Sequence, residues 1–355
     1  MPQVFTRLNE NIKQIDRFFI DVLHWRLRPT LLGLFLAGLL IGAFWLSLQR
    51  KLFDDPCSTV VFDKNGSLLG ARIADDGQWR FPPCDSVPYK FKKCIVHFED
   101  RHFYRHPGFN PLSLVRAGYQ NFMSGEIVSG GSTITMQTIR LSRKGKPRTV
   151  FQKAIEICLS VHLEIAKSKS SILELYASNA PFGGNVVGLD AAAWRYFGRS
   201  AANLSWAEAA TLAVLPNAPG LIYPGRNRRD LESKRDYLLG KLLVAGVIDG
   251  STYRLALKEP LPEKPLPLPD VAPHLTARMD KEQHGKICHT TMDEILQDQV
   301  SEIVERYHRI YRSNGIHNAA AMVMRVDSGQ VLAYVGNTAG DGNGDNGNWV
   351  DVITS

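Results

Sequence analysis

Between Pro29 and Leu48 the chain reads PTLLGLFLAGLLIGAFWLSL, without a single charged side chain. At 1.5 Å per residue a helix over this run is about 30 Å long, which is the thickness of a bilayer's hydrocarbon core. The expectation is a transmembrane anchor over residues 29–49, preceded by a tail of residues 1–28. Arg26 and Arg28 lie before the run and Arg50 and Lys51 after it. The tail adds Arg7, Lys13 and Arg17 against Glu10, Asp16 and Asp21. Basic excess ahead of the first span favours a cytoplasmic tail, with everything after residue 50 outside the cytoplasm. A cleaved signal peptide is the competing reading. The run is longer than a usual signal h-region, and no small-x-small cleavage site follows it.

The rest of the 355 residues suffices for two domains, and a 44% hydrophobic share against 22% charged allows a packed core. The net charge of +7 points to an anionic partner: nucleic acid, acidic lipid or a phosphorylated ligand. An extracytoplasmic location argues against nucleic acid. The cysteines, Cys57, Cys84, Cys94, Cys158 and Cys288, form no C-x-x-C and no metal-ligand spacing. An oxidising compartment would permit a Cys57–Cys84 bridge, which spacing alone does not establish. Cys158 sits on an apolar helical face and reads as a small core residue.

Along the chain, STVVFDKNGSLLGARI reads as a hairpin turning at Asn65-Gly66, within a lead-in segment of residues 56–87. Residues 88–257 are mostly helical. Ser205 and Glu208 form a capping box ahead of AATLAVL, and Pro216 closes that helix. Leu231, Arg235, Leu238 and Leu242 keep a helical period. KEPLPEKPLPLPD then behaves as an extended spacer, giving a proline-rich linker over 258–272. In residues 273–355, MDEILQDQVSEIVERYHRIY predicts a helix and AAAMVMRVDSGQVLAYVGN two strands around Asp327-Ser328-Gly329. This is a partial α/β segment.

Several blocks carry chemistry. EDRHFYRHPG concentrates Glu99, Asp100, His102 and His106 with two aromatics. In GGSTITMQ, two glycines and a hydroxyl-rich run could present backbone N–H groups and Ser132 or Thr135 to a ligand oxygen, or could simply turn into a capped helix. Arg140, Arg143, Lys144, Lys146, Arg148 and Lys153 follow with no acid among them. Such a run is a solvated face, a lipid-surface patch or a pyrophosphate clamp. In TVFQKAIEICLSVHLEIAK, the residues Phe151, Ile155, Cys158, Leu159 and His162 share one helical stripe, with Lys153, Glu156 and Ser160 opposite. His162 reads as a packed core histidine. Lys153 and Glu156 are either a surface ion pair or an acid and base displayed in a cleft. Glu174 either orients a site or serves local structure.

Taken in order, EDRHFYRHPG, GGSTITMQ, RTVFQKAIE, ILELYASNAPFGG and KRDYLLGKLL resemble the five motifs of the peptidoglycan glycosyltransferase family. The resemblance covers roughly residues 88–250, within a glycosyltransferase domain expected over 88–257, and is most similar to the 1C type of class A penicillin-binding protein. It implies a mainly α fold: a lysozyme-like lobe with a small membrane-facing jaw. It implies polymerisation of lipid II, a disaccharide-peptide on undecaprenyl pyrophosphate, into β-1,4 glycan with release of undecaprenyl pyrophosphate. By motif position Glu99 resembles the general base and Glu156 the second glutamate, near the donor pyrophosphate. Asp100, Ser132, Thr135, Gln137, Arg140, Arg148, Lys153, Glu174, Asn179 and Arg235 match substrate-contacting positions. Two positions depart from the pattern: Gln152-Lys153 stands where the family has Arg-Lys, and Ser178-Asn179 where it has Leu-Asn.

The chemistry fits from below. An α-linked donor and a β-linked product require inversion, so one group deprotonates the incoming 4-hydroxyl while cations stabilise the departing anion. A carboxylate of raised pKa suits the first task. A divalent cation, Mg or Mn, would suit the second, with the metal's identity open, and no organic cofactor is expected. The partners implied are lipid II, the growing glycan strand, the cytoplasmic-membrane bilayer and other proteins of cell-wall synthesis, and no nucleic acid. The location implied is the bacterial inner membrane, crossed once, with the catalytic part on the periplasmic side. Residues 273–355 resemble the opening of a transpeptidase domain. S-x-x-K, S-x-N and K-T-G occur nowhere in the chain, which thus resembles a form ending before the transpeptidase serine. No transpeptidase activity is expected from it. The alternatives are a lysozyme-like lytic enzyme and a non-catalytic membrane scaffold of cell-wall synthesis.

Overall fold

The computed structural model describes residues 35, 38, 42, 44, 51–83, 85–125, 130–144, 146, 149–217, 227–338 and 350–354. The expected anchor over 29–49 lies outside the described residues except at four positions, and Cys84 and Arg148 lie outside them too. Among the described residues no helix is long and apolar enough to cross a membrane. The chain divides into two compact units, Met1–Leu52 and Phe53–Ser355.

In chain order the second unit begins with β1 (Thr59–Phe62), β2 (Leu68–Arg72) and β3 (Trp79–Arg80). A helical body follows: α1 (Tyr89–Glu99), α2 (Pro111–Ser124), α3 (Ile134–Ser142), α4 (Val150–Ala166) and α5 (Lys169–Asn179). Two short strands, β4 (Pro181–Gly183) and β5 (Val186–Val187), precede α6 (Leu189–Phe197), α7 (Trp206–Val214), α8 (Arg228–Val244) and α9 (Gly250–Lys258). The chain ends in α10 (Pro273–Glu282), β6 (Ile287–His289), α11 (Glu294–Tyr311), β7 (Ala321–Met324) and β8 (Val331–Val335).

The body is assembled around α7, whose small residues pass inward on nearly every side; Ala207, Ala209, Ala210, Leu212 and Ala213 are all buried. Its start is fixed by the capping box: Ser205 accepts from the Glu208 N–H while the Glu208 side chain accepts from the Ser205 N–H. α1 and α8 pack against it, and α8 turns Leu231, Arg235, Leu238 and Leu242 inward at the expected period. α3 packs on both α4 and α5.

α4 reverses an expectation. The stripe of Phe151 and Cys158 is exposed, while the opposite face, with Glu156 and Ser160, is buried along with His162 and Leu163. Cys158 is therefore not a core residue. The inward face is polar because it must meet Arg140 of α3 (below), and the apolar residues are left outside. α2 does the same: Leu112, Val115, Tyr119 and Phe122, at alternating spacings of three and four, are 65–84% exposed.

The hairpin turns as expected, with Gly66 at φ +85°. The Asp63 carboxylate accepts the Asn65 and Ser67 N–H groups, both at 2.7 Å. Its far edge is not free. β6 pairs parallel to β1, Val61 opposite Cys288, so the 56–87 segment and the 273–355 segment share one sheet in the order β2-β1-β6. Val61, Leu69, Leu275, Cys288, Met292 and Tyr334 close one core over that sheet. The proline-rich linker is docked rather than a free spacer: Leu261 is buried, and the Leu266 N–H donates to the Arg195 carbonyl.

Candidate active site

Glu99 is the last residue of α1 and stands in the wall of a cavity of about 750 Å³. Asp100 follows it as the helix's C-cap. The Asp100 carboxylate holds the His106 ring at 2.8 Å and accepts the Ile134 N–H at 3.1 Å, at the start of α3. Thr133, the N-cap of α3, donates to the Gly108 carbonyl at 2.5 Å and accepts the Met136 N–H. The motif around Glu99 is thereby clamped to the first turn of α3. Gly108 has φ +96°, and a Cβ there would come within 2.6 Å of the Ser160 carbonyl oxygen, so the clamp requires glycine.

From α3, Gln137 donates its amide N–H to Glu99 Oε2 at 2.6 Å. Tyr176 of α5 donates to Gln137 Oε1 at 3.3 Å, which fixes the amide so that its NH₂ faces the carboxylate. Asn217 lies near enough to the Glu99 carboxylate to lower its pKa, and it accepts from Lys234 at 3.0 Å. Glu99 Oε1 is buried with no partner among the described residues. Burial raises the Glu99 pKa above the ordinary glutamate value, and the neighbouring Asp100 charge adds to this; the bond from Gln137, the nearby Asn217 and the charge of Lys234 pull the other way.

One turn along α3, Arg140 forks onto Glu156, with its Nε 3.0 Å from Oε1 and its terminal nitrogen 2.9 Å from Oε2. The same terminal nitrogen donates to Ser132 Oγ at 3.1 Å. Lys153 donates to Ser132 as well and lies 4.0 Å from Glu156. Gln137 and Arg140 are i, i+3 neighbours on one helical face, with Cβ atoms about 5–6 Å apart. The two glutamates are therefore tethered side by side along α3, with two cations gathered at the second.

The other positions expected to bind substrate divide. Asp100 and Ser132 line the cavity. Thr135 is fully buried and donates to Glu164. Asn179 donates to the Leu175 carbonyl within its own helix, and Glu174 is half-buried on α5 and outside the cavity wall. Arg235 does not reach the cavity. It is 1% exposed, bonded to Asp236 and to the Glu259 carbonyl at 2.8 Å each, and locks α8 onto the chain leaving α9. The cavity takes its neighbours instead: Asp236, Tyr237, Gly240, Lys241 and Val244. Their i, i+1, i+4, i+5 and i+8 spacing was the available signal for a helix face. His97, Arg101 and Arg116 also line the cavity without having been singled out.

Among the described residues no three His, Cys, Asp or Glu side chains converge as a metal cage, and both Glu156 oxygens are engaged by Arg140. The donor set therefore does not fit a divalent cation held by protein alone.

Comparison with known proteins gives a consistent picture. Residues 66–243 match the family described as Transglycosylase, half of the chain. Penicillin-binding protein 1C of Escherichia coli is 39% identical over 251 residues, 70% of this chain and 32% of that protein. Penicillin-binding protein 1A of Aquifex aeolicus is 33% identical over 245 residues, 66% of this chain and 33% of that protein. The crystal structure of penicillin-binding protein 1A from Haemophilus influenzae aligns over 78% of this chain and 33% of that one, at 18% identity and a TM-score of 0.33, too low to bear on the fold. The matches span about a third of the length of these relatives. The chain belongs to the transglycosylase family.

Proposed function

We propose that the chain polymerises lipid II into β-1,4 glycan strands with inversion, releasing undecaprenyl pyrophosphate. The observation that carries this is the pairing of Glu99 and Glu156 along one face of α3, the first beside an open cavity and the second in a cluster of cations. Glu99 takes the proton of the incoming 4-hydroxyl on its carboxylate. The freed oxygen attacks the anomeric carbon of the donor as its bond to pyrophosphate breaks from the opposite face. Arg140 and Lys153 receive the charge of the departing pyrophosphate, and Ser132 and Glu156 hold both cations in position. Glu99 then returns its proton to water through the cavity mouth. Any divalent cation would take most of its ligands from phosphate oxygens and water, as Mg²⁺ commonly does.

The exposed stripe of α2 and the outward apolar residues of α4, Val150, Phe151 and Ile165, suit a surface lying against the bilayer that holds the lipid tails. Together with the anchor expected from the sequence over 29–49, this surface supports our reading of an enzyme held at the inner membrane by one crossing, its catalytic part periplasmic and within reach of other cell-wall synthesis proteins. A lytic enzyme of the same lobe is the second reading. The two cations on Ser132 count against it, because a neutral sugar leaving group needs no such charge. The deciding assay offers labelled lipid II and, separately, preformed glycan to the full chain in detergent with Mg²⁺. Long strands from lipid II, abolished by Glu99→Gln, are expected. Shortening of the preformed glycan would establish the lytic reading, and no change in either substrate the scaffold reading.

A further inference from the structure

A second concavity, of about 430 Å³, adjoins the catalytic cavity. Its wall carries Lys92, Lys93, His97, Arg101, His102 and Arg105, and no carboxylate. None of these six side chains makes an ion pair among the described residues. Lys92 lies 5.7 Å from the ring centre of Tyr104, and Lys93 5.4 Å from that of Tyr89, so aromatic faces support cations that no acid neutralises. Four permanent positive charges in a concave wall focus a field that attracts polyanions. The His97 ring reports this: burial first, then the charges of Lys93, Arg101 and Lys241, lower its pKa.

We propose that this concavity is an accessory anion site that binds a phosphate group, separate from the Arg140 and Lys153 cluster, which meets the catalytic cavity through Ser132. Arg101 and Arg105 offer planar forks and Lys92 and Lys93 point charges, a combination suited to phosphate oxygens. Neither Ser132, Arg140 nor Lys153 contributes to its wall, and neither Lys92 nor Arg105 contributes to the catalytic cavity. His97, Arg101 and His102 line both spaces, so an anion seated here changes the charge beside Glu99 without entering the catalytic cavity. The phosphate has two sources, an anionic lipid headgroup or a soluble phosphate. The site does not depend on the glycan-polymerising reading.

The test titrates inorganic pyrophosphate by calorimetry into the full chain, held in nanodiscs of phosphatidylcholine at low salt. Two sites per chain are expected. Lys92→Glu with Arg105→Glu should weaken one of them about tenfold or more and leave the other. Arg140→Ala with Lys153→Ala should remove the other and leave this one. Lys92→Arg with Arg105→Lys should keep both. Thermal melts check that the charge-reversed pair is folded. A single wild-type site removed by the Arg140 and Lys153 changes, or two sites untouched by the charge reversal, would overturn the proposal. A single wild-type site that the charge reversal weakens and the Arg140 and Lys153 changes spare would leave this proposal standing and count against the catalytic reading. Nanodiscs containing phosphatidylglycerol then separate the sources: displacement of pyrophosphate from this site identifies the headgroup, and its retention a soluble phosphate.

Discussion

Burying a carboxylate has a cost that is visible in pH dependence. The Glu99 pKa is raised, so the folded protein holds its proton more tightly than the unfolded chain does. The stabilising share of such a group is fully present below the unfolded value and is lost as pH rises through the folded one. At neutral pH the ionised Glu99 is therefore a net burden. Glu99→Gln is expected to abolish glycan synthesis while raising Tm at pH 7, and the gain should shrink as pH falls into the ordinary glutamate range. A Tm lowered at pH 7 would contradict the burial argument. In the wild type the acid limb of the rate profile should lie above the usual glutamate pKa, since the base works only when deprotonated. Asp190, in the first turn of α6, obeys the same sign rule: burial pushes it up to about 6. Asp190→Asn is expected to stabilise the protein by up to about 3 kcal/mol above pH 6 and by little near pH 4. Urea melts at the two pH values measure it.

Among the elements, α3 sets the geometry of the site, and its first turn is where that geometry is fragile. Asp100 holds the Ile134 N–H and the His106 ring together from a position only 7% exposed. Asp100→Ala leaves both without their acceptor, which costs about 1–3 kcal/mol per buried group. It should also loosen the register of Gln137 against Glu99, so kcat should fall more than the affinity for lipid II. An unchanged kcat in a destabilised protein would confine Asp100 to a structural role. Much of this architecture was legible from local signals, because caps and turns are written in adjacent residues: Asn65-Gly66, the Ser205–Glu208 box and the inward period of α8. The facing of α4 was not. Periodicity shows that Phe151 and Cys158 share a stripe, but not whether that stripe meets protein or lipid. Arg235 illustrates the same limit. A motif locates a turn of helix, and a shift of one residue around it moves a side chain from the cavity to the core. Which donor meets Glu99 depends on how the tertiary fold brings the end of α1 beside α3, which no local pattern encodes.

At the scale of the whole second unit, the least legible pairing is the one that joins its ends. β6 is three residues long and meets β1 across a separation of 227 positions, Val60 to Ile287, so neither length nor period announces it. The hairpin consequently belongs to two neighbourhoods. Ser58 donates its N–H to the Arg80 carbonyl next to the helical body, while Val61 and Leu69 pack under α10. Gly70 is the closest point of that second contact. A Cβ there would fall 2.3 Å from Thr276 Oγ1, a fully buried hydroxyl already donating to the Ala272 carbonyl at 2.9 Å. Thr276 cannot swing aside without abandoning that bond, so Gly70→Ala should destabilise the sheet by about 1–3 kcal/mol. If the β2-β1-β6 sheet and α10 open as one unit apart from the helices, the variant should lose amide-exchange protection together in β1, β2, β6 and α10. Protection in α1, α3, α7 and α8 would stay as in wild type, and glycan synthesis with it. Equal loss of protection in the helices would mean that the linker strapping at Arg195–Leu266 and Arg228–Leu261 makes the whole of residues 53–355 a single cooperative body.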